Sequence, residues 1–147
     1  MHAQFLRDFM TEKVPVTSAM DIDVVDSSEK GVTLKASIAA NIKDKGVAFG
    51  GSLFSVASLC SWAVVDFILK QHQLAANIFV HTSQSKFSAP VISDFTVFCP
   101  TPTEEEIAVF LGAFNRKGRA RLTLAATIYE GEVLAFESTS DFVAVRK

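Results

Sequence analysis

The spacing of hydrophobic and polar residues divides the first third of the chain into a helix and two strands. Residues 5–10 have helical spacing, which predicts a short N-terminal helix. Residues 20–24 and 32–38 alternate hydrophobic and polar side chains, as strands with one wet face do. The turn residues Ser28 to Gly31 lie between them and predict a hairpin.

The most hydrophobic segment lies in the middle of the chain, where residues 46–65 contain no charged side chain. About 20 apolar residues are enough to cross a bilayer. This run, however, includes three glycines and four serines, and strand patterns follow it. We therefore predict a helix buried inside the protein from Gly51 to about Gln71, with Ser52 as its N-cap. Asp66 and Lys70, spaced i,i+4, are expected where this helix reaches water.

Strand-like runs dominate the rest of the chain. Five are predicted, at residues 78–87, 95–99, 107–115, 121–129 and 133–145. The acidic residues 104–106 are interpreted as a strand lead-in, and residues 116–119 as a hairpin turn. Short turns between strands make an antiparallel sheet. The order predicts one α+β domain over residues 1–147, with the sheet wrapped around the central helix.

Composition narrows the function classes. The 147 residues are 49% hydrophobic and 20% charged, which is typical of one folded domain. A net charge of −2 at pH 7 argues against a general nucleic-acid binder. Cys60 and Cys99 are interpreted as reduced core thiols, with no metal-ligand spacing around them. His2 and His72 are interpreted as tail and helix-end residues. No secretory signal is recognised, so we expect a cytoplasmic protein with no membrane association.

The predicted order of elements resembles the hotdog fold of the thioesterase superfamily. Many members of that superfamily end the loop before the central helix in His-Gly-Gly and carry an acid about two turns later. Here the run is Phe49-Gly50-Gly51, and Ser58 stands near the acidic position. The glycines match the superfamily pattern, whereas the His and the acid do not.

Two segments give a narrower resemblance. Residues 41–53, NIKDKGVAFGGSL, and the aromatic-x-x-Pro-Val run at residues 87–91 resemble the YiiD C-terminal domain family of thioesterases. The resemblance extends from roughly residue 12 onward. It implies an enzyme that acts on acyl thioesters. Members are described as malonyl-acyl-carrier-protein decarboxylases, which make the acetyl primer of fatty acid synthesis.

The glycine-rich helix start is the first candidate for chemistry. Unpaired N–H groups and the positive end of the helix dipole stabilise an oxyanion, and glycines allow a ligand to approach closely. Phe49, Gly50, Gly51 and Ser52 therefore form the predicted thioester-binding segment. The alternative is that the two glycines only permit tight packing at the helix entry.

Hydrolysis also needs a general base or a nucleophile, and the first four turns of the helix offer no acidic residue. Decarboxylation of a malonyl thioester needs neither, because neutral donors and an apolar cavity stabilise the enolate as CO₂ leaves. We predict Asn41, Gly51, Ser52 and Ser58 as catalytic residues. For Asn41 an ordinary Asx turn is the alternative.

Other residues are predicted to bind the substrate or its carrier. His81 and Ser83 are expected to line the cavity, although a surface histidine is the alternative. Arg116, Lys117 and Arg119 are expected to dock a phosphate of pantetheine or coenzyme A, or the acidic surface of acyl carrier protein. A solvated hairpin tip is the alternative. No cofactor is expected beyond the phosphopantetheine that carries the substrate.

The best single prediction is decarboxylation of malonyl-acyl carrier protein by a homodimer or a dimer of dimers. Two other functions stay open. One is an acyl-thioester hydrolase that uses Asp44, His81 or a water held by Ser58. The other is an acyl-carrier binding module without catalytic activity.

Overall fold

The computed structural model describes residues 1–147, which form one sheet, one long helix and several shorter helices. The helices are α1 (His2–Lys13), α2 (Val16–Ala19), α3 (Ile38–Asn41), α4 (Gly50–Gln71) and α5 (Glu104–Lys117), with a 3₁₀ turn at Asp44–Gly46. The strands are β1 (Ile22–Ser28), β2 (Gly31–Ala36), β3 (Ala76–Phe87), β4 (Phe95–Pro100), β5 (Arg119–Glu130) and β6 (Val133–Arg146).

The six strands form a single antiparallel sheet in the order β1-β2-β4-β5-β6-β3. The sheet curls around α4, which packs against every strand. Burial alternates along β5, whose inward residues are buried and whose outward residues are mostly exposed, so one face of the sheet forms the core. The predicted architecture, an antiparallel sheet wrapped around a central helix, is confirmed.

Helix α4 is long and apolar enough to cross a membrane by length and composition alone. In the folded chain, however, 67% of the most apolar 18-residue stretch of this helix is buried inside the protein. The buried positions fall on all sides of the helix, as expected for a helix enclosed by a sheet. This agrees with the sequence prediction of a protein-buried helix.

One element was predicted wrongly. Residues 107–115, expected to be a strand, lie within helix α5. Thr103 and Glu106 form a reciprocal capping box, and Gly118 ends the helix in the left-handed conformation at φ 72°. Phe110 and Phe114, four residues apart, bury one face of α5 in the core. The acidic residues 104–106 are therefore the first turn of a helix, and residues 116–117 are its last turn.

Helix α1 is fastened to the body of the protein by polar contacts as well as by packing. His2 Nε2 lies 2.8 Å from Asp66 Oδ2, and His2 Nδ1 lies 2.6 Å from Ser27 Oγ. Lys70 Nζ donates to Asp66 Oδ1 at 2.7 Å. His2 is thus not a free tail residue. Asp66, only 7% exposed, is not at the solvent end of α4 as the sequence suggested.

Both cysteines are free and buried, as predicted. The Cys60 thiol donates to the Val32 carbonyl, with the two atoms 3.1 Å apart. Burial raises the pKa of Cys99 to about 11 and raises that of Cys60 well above its usual value. These thiols are core side chains and not nucleophiles.

Candidate active site

The N-terminus of α4 presents free hydrogen-bond donors. Phe49 is the N-cap residue, and its side chain makes no capping hydrogen bond, so Ser52 is not the cap that the sequence suggested. The Ser52 and Leu53 amides donate to the Phe49 carbonyl at 2.9 and 3.3 Å. The Gly50 and Gly51 amides have no partner within the chain. Two unpaired donors therefore stand at the positive end of a 22-residue helix.

Close packing explains why these two positions are glycine. A Cβ atom on Gly51 would lie 2.5 Å from the Phe49 ring, and one on Gly50 would lie 3.4 Å from the Phe87 ring. Phe49 itself is 56% exposed, so its ring is free to move aside. Both the packing and the ligand-approach interpretations of the glycines are consistent with this geometry.

Main-chain hydrogen bonds hold the loop before α4 in place. Phe49 N donates to the Asn41 carbonyl at 2.8 Å, and Ala48 N donates to the Val91 carbonyl at 2.8 Å. The two segments that carry the family resemblance are thereby joined. A cavity of about 360 Å³ lies between them, lined by Val47, Gly50 and residues 87–91 among others.

Asn41 is buried beside this loop, with only 3% of its surface exposed. Its Nδ2 donates to the carbonyls of Met20 at 2.8 Å and Ser37 at 2.7 Å. Because both partners are acceptors, the orientation of the amide is fixed. Its Oδ1 is buried and has no hydrogen-bond partner. Asn41 thus positions the surrounding chain with its donors and offers only an acceptor to a ligand.

A second, larger cavity of about 500 Å³ follows one face of α4 away from the free amides. Ser55 and Ser58 line it near the helix start, and Ser55 Oγ donates to the Gly51 carbonyl at 2.8 Å. Ser58 is half-buried and makes no hydrogen bond within the chain. Eleven of the fourteen lining residues are hydrophobic. The cavity is therefore mainly apolar, with Thr17, Ser55 and Ser58 as its polar lining residues.

Helix α4 itself brings no carboxylate to the free amides. The first turn of α4 contains no acid. Asp44 is 79% exposed and lies 3.8 Å from Lys43. Asp66 lies 15 residues beyond Gly51, about 22 Å along the helix axis, and is bound to His2 and Lys70.

Two predicted substrate-binding residues lie on the edge strand β3, outside both cavities. His81 is the extra residue of a β-bulge between Val80 and Thr82, and its side chain is exposed. Ser83 Oγ lies 2.8 Å from Ser140 Oγ on β6. Within one chain, neither residue is brought to the start of α4.

The basic residues lie at the other end of the molecule. Arg116, Lys117 and Arg119 flank Gly118, whose carbonyl accepts from Arg146 N at 2.7 Å. The adjacent Lys147 N donates to the Ala75 carbonyl at 3.4 Å, just beyond the end of α4. A 22-residue helix is about 33 Å long. The basic residues are therefore separated from the free amides of the same chain by nearly the length of α4.

Strand β3 has only one neighbour in the sheet, so its other edge is unpaired. Phe79, Val80 and Phe87 on this strand are 57%, 45% and 56% exposed. A long edge with exposed large hydrophobic residues is typical of a surface that pairs with another chain.

Comparison with known proteins places this geometry in a family. Residues 3–146 match the family model described as "Putative thioesterase (yiiD_Cterm)". The chain belongs to this family. No curated protein matches the sequence. The membership covers nearly the whole chain and confirms the resemblance that residues 41–53 and 87–91 indicated.

Solved structures confirm that this thioesterase-family chain has the hotdog fold. Protein OLEI01261 of unknown function from Chlorobaculum tepidum is 28% identical, with a TM-score of 0.95 over 99% of this chain and 94% of that one. A putative thioesterase from Shewanella oneidensis is 20% identical, with a TM-score of 0.87 over 98% and 97%. Thioesterase HI1161 from Haemophilus influenzae is 13% identical, with a TM-score of 0.72 over 98% and 90%.

Proposed function

We propose that this thioesterase-family protein decarboxylates a malonyl thioester carried by acyl carrier protein or coenzyme A. The observation that carries the proposal is the pair of free amides at Gly50 and Gly51, on a helix whose first four turns contain no acid. An acid at this position would activate water for hydrolysis, but it would also repel the carboxylate of a malonyl group.

The reaction needs no proton-accepting side chain. The thioester oxygen accepts hydrogen bonds from the Gly50 and Gly51 amides. The bond between the central carbon and the carboxylate breaks, CO₂ leaves, and the electron pair forms an enolate whose charge the amides stabilise. The central carbon then takes a proton from solvent, which gives an acetyl thioester. The hydroxyl of Ser58 is free to orient the carboxylate at the cavity entrance.

Asn41 serves this site mainly as a positioning residue. It ties Met20 and Ser37 to the loop whose end is the N-cap of α4. Its unpaired Oδ1 is buried and is an acceptor, so it donates no hydrogen bond to a carboxylate or an oxyanion.

The functional unit is a homodimer formed through the open edge of β3. Pairing there covers the exposed hydrophobic residues of that strand. A partner also offers a way for the basic residues to reach a bound carrier, since in one chain they lie nearly a helix length from the free amides. Analytical ultracentrifugation tests this proposal, and a monomer at micromolar concentration would contradict it.

Hydrolysis of an acyl thioester is the second candidate, and family membership favours it. Incubation with malonyl-acyl carrier protein, followed by intact mass spectrometry, separates the two reactions. Decarboxylation gives acetyl-acyl carrier protein with the thioester intact, whereas hydrolysis gives free carrier and malonate. Binding without either product would indicate a carrier-binding module and would contradict both reactions.

A further inference from the structure

We infer that the substrates include malonyl thioesters bearing an alkyl group on the carbon between the two carbonyls. The inference rests on the proposed decarboxylation and concerns the cavity beside the reacting group. That cavity holds about 500 Å³, within the usual range for sites that enclose drug-sized ligands. A malonyl group, no larger than a few water molecules, leaves most of it unfilled.

The cavity lies along the same face of α4 as Gly51, one of the two residues with free amides. Gly51, Ser55, Ser58 and Trp62 follow one another at spacings of four, three and four residues, so they lie on one face of α4. Ser55 contacts the first turn directly through its hydrogen bond to the Gly51 carbonyl. A substrate held by the free amides would therefore extend along this face into the cavity.

Polarity changes along the same face in the order that an alkylmalonyl group requires. The serine hydroxyls lie near the free amides, where the carbonyl and carboxylate groups would sit. Farther along, the walls are hydrophobic and come from α2, β1, β3 and β6 as well as α4. They include Met20, Ile22, Leu59, Trp62, Ile78 and Phe142. Such walls hold an alkyl substituent and offer nothing to a second charged group.

Trp62 sets the far limit of the cavity, because packing holds its ring in place. The ring stacks on Phe9 of α1 with a centroid separation of 4.6 Å and an interplanar angle of 14°. The reaction itself is unchanged by the substituent. The bond to the carboxylate breaks, CO₂ leaves, and the substituted carbon takes a proton from solvent to give a saturated acyl thioester.

The test compares malonyl-, ethylmalonyl- and butylmalonyl-coenzyme A as substrates, with products identified by liquid chromatography and mass spectrometry. Burial of a methylene group contributes about 0.8 kcal/mol, so each added methylene should raise kcat/KM about fourfold until the cavity is full. Leu59→Phe enlarges a wall residue by roughly the volume of one methylene group and should lower the butylmalonyl-to-malonyl ratio of kcat/KM about fourfold.

Val109→Phe is the matched control, because it introduces the same phenyl ring at an α5 position that is 74% exposed and outside the cavity. It should leave the substrate ratio unchanged. Turnover of malonyl but not alkylmalonyl thioesters would overturn this inference and leave the proposed function standing. An unchanged ratio in Leu59→Phe would also overturn it. Release of free acid from every substrate, without loss of CO₂, would overturn both this inference and the proposed decarboxylation.

Discussion

The proposal that the site works without an acid on the first turns of α4 can be tested by introducing one. Ser58 is the position where many hotdog thioesterases carry an acid, and it faces the cavity two helical turns beyond Gly51. Seven residues span about 10.5 Å of helix. A malonyl group held at Gly50 and Gly51 and extended along this face would cover nearly half of that distance, which leaves its carboxylate about 6 Å from this side chain. Two like charges at about 6 Å repel by about 3 kcal/mol at an effective dielectric constant of about 20. Ser58→Asp should therefore lower kcat/KM for decarboxylation about a hundredfold.

Ser58→Asn provides the matched control, because it has nearly the same shape as the aspartate variant and no charge. Its kcat/KM for decarboxylation should stay within a few-fold of the unmodified protein. Both variants are assayed for CO₂ release from malonyl-acyl carrier protein, with urea unfolding to verify that they fold. Equal rates for the two variants would refute the reasoning, since the carboxylate of the substrate would then not lie near Ser58.

Four further predictions concern the scaffold and its titrating groups. His2→Ala removes two hydrogen bonds and should lower the free energy of unfolding by about 2 kcal/mol, with faster amide exchange confined to α1. Asn41→Ala leaves two main-chain carbonyls unpaired and should cost about 2–4 kcal/mol in urea unfolding; an unchanged midpoint would contradict its positioning role. A hydrogen bond from Val24 N–H lowers the pKa of Asp23 in the folded protein. The ionised Asp23 carboxylate therefore stabilises the folded state above the unfolded pKa, and this stabilisation is lost as the pH falls through the lower pKa of the folded state. Asp23→Asn should therefore flatten the pH dependence of stability below about pH 4. Cys99, with a pKa of about 11, should resist thiol reagents at pH 8 until urea unfolds the chain.

Alternation predicted most of the sheet and the long uncharged run predicted the central helix, but neither signal identified a short element that is hydrophobic throughout. Residues 107–115 are nearly all apolar, and a short apolar run does not distinguish a strand from a buried helix. The distinguishing signals lay outside the run. Thr103 with Glu106 forms a capping box, and Gly118 stands where a helix ends. The capping box and the terminal glycine together indicate a helix between them, which is α5.

The candidate site was predictable where it depends on neighbouring residues. Phe49, Gly50 and Gly51 are consecutive, so the free helix start followed from the sequence. Asn41, predicted as a catalytic residue, ends α3 and its carbonyl contacts this start, but its use of both Nδ2 hydrogens depends on Met20, which is 21 residues away. Contacts at that separation follow from the folded topology, and no local pattern specifies them.

A contact between residues distant in the sequence also explains why the single acidic residue of α4 is buried. Asp66 has the burial expected of a catalytic carboxylate, yet both its oxygens are taken by His2 and Lys70. Asp66 binds His2 and so fixes the position of α1. Helix α1 contains Phe9, whose ring stacks on Trp62 at the cavity wall. The acid of the central helix therefore supports the cavity wall, although it lies about 22 Å along the helix from the free amides. In the proposed reaction, neutral main-chain donors stabilise the developing charge, and the absence of a free carboxylate on α4 would favour loss of CO₂ over attack by water.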